Sequence, residues 1–234
     1  MQHGVSWKRR LFESSLFLHR FIARNFMSPV HQHDVFVVRK RPDLQSQDPR
    51  EAAVELAARE IYRYGIEGSV AELGVNTGLF ARVINHCFPD RKLYLFDTFE
   101  GFDKRDAEVD RKENFSSATQ DFTQTSVDLV LSNMEHPENC IIRKGWFPDT
   151  SEGIDEKFCF VNLDADLYQP MKAGLEFFYP RLVHGGVIML HDFSNADPQF
   201  DYKGVRKAVK DFCDKNNIGY MCLSDLGGSA VIVK

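Results

Sequence analysis

"GYMCLSDLGGSAVIVK", residues 219–234, predicts how the β-sheet of this protein ends. The stretches "GYMCLS" and "SAVIVK" are both rich in strand-forming residues, and only "DLGG" separates them. A parallel pair of strands needs a crossover of about a dozen residues or more, usually containing a helix. So short a connection can only be the turn of an antiparallel hairpin.

The chain upstream of this hairpin alternates predicted strands with predicted helices. The best-signalled helix is "DPREAAVELAAREIYRYG", where Asp48 is the N-cap candidate, Pro49 suits the first position and Gly65 the stop. Strands are predicted at "GSVAELGV", "KLYLFD", "CIIRKG", "FCFVNLD" and "GGVIMLHD". The pattern predicts an α/β, Rossmann-like fold with a mostly parallel seven-stranded sheet, helices on both faces and a C-terminal antiparallel hairpin. This arrangement is associated with class I methyltransferases that use S-adenosylmethionine.

The composition is that of an ordinary globular protein of 234 residues, with 43% apolar and 27% charged residues. A net charge of −5 argues against a nucleic-acid partner, because no strong positive field would hold phosphates. The five cysteines form no CxxC pair, which favours reduced thiols in a cytoplasmic protein over a disulfide framework. No apolar run reaches the roughly 18 residues that a transmembrane segment needs.

We divide the chain into an N-terminal segment, residues 1–47, and an α/β domain, residues 48–234. Within the first segment, residues 7–26 have the pattern of an amphipathic helix. Packing on the domain or in a homodimer is favoured for this helix over a position on an anionic membrane surface, since its basic charge is modest.

"VAELGVNTGLF" places Glu72 at the end of the first core strand, followed by Gly74 and Gly78. Glycines at such a turn let the backbone approach a ligand closely. A dinucleotide site needs G-x-G-x-x-G, but Asn76 stands where the second glycine would admit a pyrophosphate. The loop, including Thr77, therefore suits the methionyl part of S-adenosylmethionine, with Glu72 accepting from its amino group. The alternative is a helix start that needs glycine only for packing.

"KLYLFDTFEGF" ends the second strand with Asp97, followed by Thr98. A carboxylate there, at the switch point of the sheet, can accept hydrogen bonds from both ribose hydroxyls of the cofactor. The alternative is that Asp97 caps the next turn. After the third strand, "KGWFPDT" offers Gly145 and Trp146 as a wall for adenine. The competing interpretation places Trp146 and Phe147 in the core.

"FVNLDADLYQP" and "GGVIMLHDFS" deliver Asp164 with Asp166, and His191 with Asp192, at the ends of two strands expected to be neighbours. Paired carboxylates repel, so a cation, a proton or a hydrogen-bonding ligand is expected beside them. Oxygen-rich ligands point to Mg²⁺ first, and a histidine also admits Mn²⁺. Alternatives stay open: Asp166 as the cap of the next helix, and His191 as a core histidine or a substrate contact.

Together with "YKGVRKAVKDF", these motifs resemble the macrocin O-methyltransferase (TylF-type) family of metal-dependent enzymes that use S-adenosylmethionine. The resemblance covers about residues 50–234. Known members methylate sugar hydroxyls on natural products, which implies a sugar-containing small-molecule acceptor. The resemblance also implies Asp164 and Asp192 as metal ligands with His191 as the third, although the best-known members carry aspartate at that position.

We therefore expect a divalent-metal-dependent O-methyltransferase acting on a hydroxyl of a sugar or other polyol, in natural-product or polysaccharide biosynthesis. A divalent ion lowers the pKa of the hydroxyl, and Asp164 or Asp166 accepts its proton as general base. The polar residues 103–125 are expected to form a long loop that acts as a lid. Two other functions stay open: a nicotinamide-dependent oxidoreductase, disfavoured by Asn76 and the hairpin, and a non-catalytic protein that binds S-adenosylmethionine.

Overall fold

The computed structural model of this protein describes residues 43–46, 48–194 and 202–234. Residues Leu44–Lys234 form one compact unit. The helix predicted at residues 7–26, and the homodimer that it would support, lie outside the described residues. Within the part of the chain that is described, no helix is long and apolar enough to cross a membrane.

The centre of the described domain is a seven-stranded sheet. Its strands are β1 Ser69–Leu73, β2 Leu93–Asp97, β3 Cys140–Lys144, β4 Phe158–Leu163, β5 Leu182–Leu190, β6 Met221–Cys222 and β7 Ala230–Val233. Their order is β3-β2-β1-β4-β5-β7-β6. The first five strands are parallel, and β7 lies antiparallel between β5 and β6. The predicted mostly parallel sheet with a C-terminal antiparallel hairpin is confirmed.

Helices cover both faces of this sheet. They are α1 Pro49–Arg63, α2 Leu79–Cys87, α3 Lys104–Lys112, α4 Val127–Ser132, α5 Tyr168–Arg181 and α6 Lys203–Asn216. One apolar core packs α5 and α6 on the sheet, and a second core packs α1, α2 and α4 on the opposite face. Strands β1 and β4 are buried along their whole length because both of their faces are covered.

The first helix begins and ends as its sequence predicts. The Asp48 side chain accepts hydrogen bonds from the backbone N–H of Arg50 (2.9 Å) and Glu51 (3.2 Å), and Pro49 is the first helical residue. Gly65 follows the last turn with φ +60°, in the left-handed region that favours glycine. These local signals fix the position of Arg50 in the first turn.

The long loop expected at residues 103–125 is partly wrong, because α3 occupies Lys104–Lys112. Asp103 caps this helix by accepting from the backbone N–H of Arg105 at 2.9 Å. The buried face of α3 carries Asp106, Ala107 and Asp110. The buried face of this helix is partly made of aspartates, so the sequence shows no apolar periodicity there. The partners that allow these aspartates to be buried lie elsewhere in the chain.

Candidate active site

A cavity of about 970 Å³ opens at the carboxyl ends of β1, β2, β4 and β5. The strand order reverses at this point, because the chain runs from β1 outward to β3 and then returns to place β4 on the other side. Open α/β sheets bind their ligands at such a switch point. The position of the cavity in the sheet topology therefore identifies it as the candidate site.

The glycine loop after β1 is shaped by contacts within the protein. Gly74 has φ +86°, and a Cβ at this position would lie 2.0 Å from the Asp164 carbonyl oxygen. Gly78 has φ +81°, and a Cβ there would meet Val130 at 3.0 Å. Gly74, with Asn76 and Thr77, lines the cavity, whereas Gly78 is not among the lining residues. Packing and the left-handed backbone conformation thus account for Gly78.

Glu72 is buried at the inner end of the cavity, with 1% of its surface exposed. Its Oε1 accepts a hydrogen bond from Asn162 Nδ2 at 2.7 Å, and its Oε2 has no partner among the described residues. Burial and the neighbouring Asp164 carboxylate raise the pKa of Glu72 to about 8. A buried, unpartnered carboxylate oxygen suits a cationic ligand such as the amino group of an amino acid.

Asp97 ties the glycine loop to the end of β2. Its Oδ2 accepts from the backbone N–H of Val75 (2.7 Å) and Asn76 (2.9 Å), and its Oδ1 accepts from Phe99 N–H (2.7 Å). Asp97 therefore caps the following turn, as the alternative interpretation held, and it also lines the cavity together with Thr98. A carboxylate oxygen accepts more than one hydrogen bond, so the capping contacts leave room for a ligand hydroxyl.

The loop after β3 brings Gly145 and Trp146 to the cavity, while Phe147 is buried in the core. Trp146 Nε1 donates to Asp106 Oδ2 at 2.9 Å, and the guanidinium of Arg105 lies 3.7 Å from the centre of the indole ring. Asp106 lines the cavity, and burial raises its pKa to about 6. Residue Asp106 was missed in the sequence because its helix was predicted as a loop.

Strands β4 and β5 bring the predicted acidic cluster together. His191 Nδ1 lies 3.0 Å from Asp164 Oδ1 and 3.1 Å from Asp192 Oδ2. The three side chains offer ligand atoms that all lie within 4.8 Å of one another. Two carboxylates and one imidazole at this spacing fit a divalent cation.

Arg50, from the first turn of α1, already places a positive charge on this cluster. Its Nη2 donates to Asp164 Oδ2 at 2.7 Å and to Asn162 Oδ1 at 3.2 Å, and its guanidinium lies 3.7 Å from the Phe80 ring centre. Burial would raise the pKa of Asp164, but Arg50 and His191 outweigh it and hold that pKa well below its usual range. The sequence offers no signal for this contact, which joins residues 114 positions apart.

Asp166 does not cap the following helix. The N-cap of α5 is Leu167, which makes no side-chain cap bond, and the backbone N–H of Tyr168 donates instead to Asp110 Oδ1 at 3.0 Å. Asp166 has φ +60° and lines the cavity. Burial and the charges of Asp164 and Asp192 raise the pKa of Asp166 well above its usual value.

The turn between β6 and β7 covers the acidic cluster from one side. Gly227 packs so closely on the His191 ring that a Cβ would lie 2.1 Å from Nε2. Leu226 lines the cavity while 95% exposed, and Tyr202 lines it from the start of α6. Leu226 and Gly227 were missed in the sequence, since the pairing of β7 with β5 brings their turn to the cavity. Tyr202 was missed because it follows no predicted strand.

The strand order, the antiparallel β7 and the cavity beyond β1 define a Rossmann-like fold of the class I methyltransferase type. The fold is similar to the solved structure of the O-methyltransferase NovP, with a TM-score of 0.64 at 19% identity over 80% of this chain and 79% of that one. It is also similar to CalS11, a calicheamicin methyltransferase, with a TM-score of 0.60 at 18% identity over 100% and 99% of the two chains.

The family model of macrocin O-methyltransferases (TylF) matches residues 48–231, so the chain belongs to this family. A Streptomyces olivaceus protein is 28% identical over 60% of this chain and 59% of its own length; it is an 8-demethyl-8-(2,3-dimethoxy-alpha-L-rhamnosyl)-tetracenomycin-C 4'-O-methyltransferase. Mycinamicin III 3''-O-methyltransferase of Micromonospora griseorubida is 28% identical over 70% of this chain and 66% of its own length. The matches thus span about six tenths to two thirds of these relatives.

Proposed function

We propose that this protein is an O-methyltransferase that uses S-adenosylmethionine and a divalent metal ion to methylate a hydroxyl of a sugar-containing small molecule. One observation carries the proposal. The unpartnered Glu72 oxygen and the cluster of Asp164, His191 and Asp192 face the same cavity. A cationic amino acid group fits Glu72 and a polyol fits the acidic cluster, so one cavity would hold both substrates for methyl transfer.

The cofactor is assigned to the side of the cavity formed by β1, β2 and β3. Glu72 accepts from the amino group of the methionyl part, and Asp97 accepts from the ribose hydroxyls. Trp146 packs on the adenine, and Asp106 accepts from its exocyclic amine. The remaining cofactor contacts come from the lining residues Gly74, Asn76, Thr77, Thr98 and Gly145. Gly78 supports the loop from behind.

The metal ion, Mg²⁺ or Mn²⁺, is assigned to Asp164, His191 and Asp192. When bound, a divalent ion lowers the pKa of a sugar hydroxyl and so makes it a better nucleophile. Arg50 holds one oxygen of Asp164 and leaves the other directed at His191. Asp164 or Asp166 accepts the hydroxyl proton, and the cavity walls align the oxygen with the methyl group.

The acceptor class rests on the relatives. One curated relative is named for methylation of a tetracenomycin that carries a rhamnosyl group, and the other for methylation of mycinamicin III. We extend a sugar-containing acceptor to this chain and assign the catalytic domain to residues 48–234. The five cysteines are free thiols, which suits a reducing compartment such as the cytoplasm.

The test is calorimetric titration of the purified protein with S-adenosylmethionine and with NADH, followed by methylation assays on sugar acceptors with and without chelator. We expect the protein to bind S-adenosylmethionine but not NADH. Methyl transfer should occur with Mg²⁺ or Mn²⁺ and should be absent in chelator. Binding of NADH would favour an oxidoreductase. Binding of S-adenosylmethionine without turnover of any acceptor would favour a non-catalytic protein, and normal turnover in chelator would remove the metal from the mechanism.

A further inference from the structure

A second cavity, of about 440 Å³, opens on α6 beside the active-site cavity. Asp192 and Tyr202 line both cavities. The second cavity is also lined by four exposed basic residues: Lys203, Arg206, Lys207 and Lys210. Its carboxylates are Asp192, which lies 3.1 Å from His191, and Asp211, which pairs with Lys207 at 2.7 Å. The lining of the second cavity is therefore positive on balance, although the whole chain carries a net charge of −5.

The order of charges along α6 is the reverse of the order that favours a helix. The first two turns carry only cations, and the acidic Asp211 and Asp214 come in the second half. The N-terminal end of a helix has a partial positive charge, so cations there are repelled by the helix dipole. The sequence thus concentrates positive charge where the helix itself disfavours it, and a bound anion would relieve that repulsion.

Tyr202 links the two cavities. Its side chain is 4% exposed, and its hydroxyl has no hydrogen-bond partner among the residues that the structure describes. A buried hydroxyl without a partner is costly, so a ligand atom is expected to complete its hydrogen bonding. Tyr202 immediately precedes the cationic face of α6 and lines both cavities, so one ligand that occupied both of them would contact its hydroxyl.

We propose that the second cavity binds a phosphate group of the acceptor, so that the sugar substrate is a sugar phosphate or a nucleoside-diphosphate sugar. The inference rests on the function proposed above. The basic residues recur at i, i+3, i+4 and i+7, which spans about 10 Å of helix and suits an anion with more than one charged group. The guanidinium of Arg206 also matches phosphate oxygens in geometry. The sugar then extends past Tyr202 and Asp192 into the active-site cavity.

The proposal is tested by calorimetry on the full chain with UDP-glucose, glucose 1-phosphate and methyl glucoside, without S-adenosylmethionine. We expect UDP-glucose to bind more tightly than methyl glucoside, and added salt to weaken its binding. The double variant Arg206→Glu/Lys210→Glu should weaken UDP-glucose binding at least about tenfold, the effect of losing one charge-assisted hydrogen bond. Lys215→Glu reverses a single charge in the last turn of α6, outside the lining of the cavity, and should leave binding unchanged.

The outcomes distinguish a single phosphate from a pyrophosphate as the bound group. They also distinguish a failure of the proposed phosphate site from a failure of the proposed methyltransferase activity. Equal binding of glucose 1-phosphate and UDP-glucose assigns the cavity to a single phosphate, and tighter binding of UDP-glucose assigns it to a pyrophosphate. The proposal is overturned if wild type and double variant bind UDP-glucose equally tightly. It is also overturned if the wild type binds methyl glucoside as tightly as UDP-glucose. If the double variant does not fold, Arg206→Gln provides the comparison. None of these measurements requires methyl transfer, so a failure of the proposed activity appears separately.

Discussion

The two halves of the active-site cavity hold their carboxylates in different ways. In the half formed by β1 and β2, Asp97 accepts three backbone N–H groups, two from the glycine loop after β1 and one from the turn that follows Asp97. In the half formed by β4 and β5, Asp164 is held by the side chains of Arg50 and His191. Backbone donors are present whatever side chains the glycine loop carries, whereas side-chain donors exist only where the sequence places an arginine or a histidine. The first half therefore depends on the pairing of β1 with β2 and on the course of the glycine loop. The second half depends on particular side chains from α1 and from the end of β5.

Asp164→Asn is expected to give the largest effect, and it separates the two halves. The amide keeps the shape of the side chain but loses the charge that faces Arg50 and His191. Methyl transfer should fall at least about 10²-fold, the lower range for losing an acid–base or electrostatic group. Binding of S-adenosylmethionine should survive in calorimetry, because Glu72 and Asp97 lie on other strands.

Asp155→Asn, at an exposed aspartate, is the matched control and should behave as wild type. Wild-type turnover by Asp164→Asn with a true acceptor would show that the acidic cluster is structural.

Gly227→Ala tests the same half through packing alone. The added Cβ would lie 2.1 Å from His191 Nε2, so the ring must move. A misplacement of about 1 Å at a catalytic group costs on the order of 10²-fold, and kcat should fall by up to that factor. Gly219→Ala, where nothing lies within 4 Å of the new Cβ, should leave kcat unchanged. Equal kcat values for the two variants would separate His191 from the reaction.

Asp97→Ala breaks the other half. It removes three backbone contacts and the proposed ribose acceptor, and it should weaken binding of S-adenosylmethionine by about 1.5–3 kcal/mol, through the loss of charge-assisted hydrogen bonds. Glu100→Ala, at an exposed side chain paired with Lys144, serves as the control in calorimetry. Unchanged affinity of Asp97→Ala would assign Asp97 to loop capping alone.

A smaller effect is expected from the protonation of Asp106, whose pKa burial raises to about 6. The ionised carboxylate is the better acceptor for the adenine amine, so affinity should be full above pH 6 and should fall as pH decreases through 6. The loss should be about fivefold, the difference between a charged and a neutral hydrogen bond. Asp106→Asn should abolish this pH dependence; a wild-type titration curve in the variant would contradict the assignment.

The smallest effect is expected in the amide hydrogen exchange of residues 113–126, the segment between α3 and α4. Phe122 from this segment lines the cavity, and the Thr125 hydroxyl donates to the Asn76 carbonyl in the glycine loop. If this segment is a lid that closes over S-adenosylmethionine, its amide hydrogen exchange should slow when the cofactor binds. Equal protection with and without the cofactor would argue against a lid.

The difference between the halves also explains what could be predicted from the sequence. Apolar strands carry Glu72, Asp97, Asp164 and Asp192 at or just beyond their carboxyl ends, and strand order alone brings them to one edge of the sheet. Arg50 could not be found in this way, because its role depends on how α1 packs across β4. Asp106 was missed for a related reason, since a buried aspartate looks like a surface residue until its partner, Trp146, is known.

Strand β7 has a consequence for the way this protein is made. It lies between β5 and β6 although it follows both in the chain, and the turn that leads into it packs on His191. Translation delivers the chain from its N-terminus, so every proposed cofactor and metal residue leaves the ribosome before β7 does. Until residue 233 has emerged, β5 presents an unpaired edge, which is prone to pair with other chains. The edge of β5 therefore stays open until β7 pairs with it, and the turn that packs on His191 is synthesised after every proposed cofactor and metal residue.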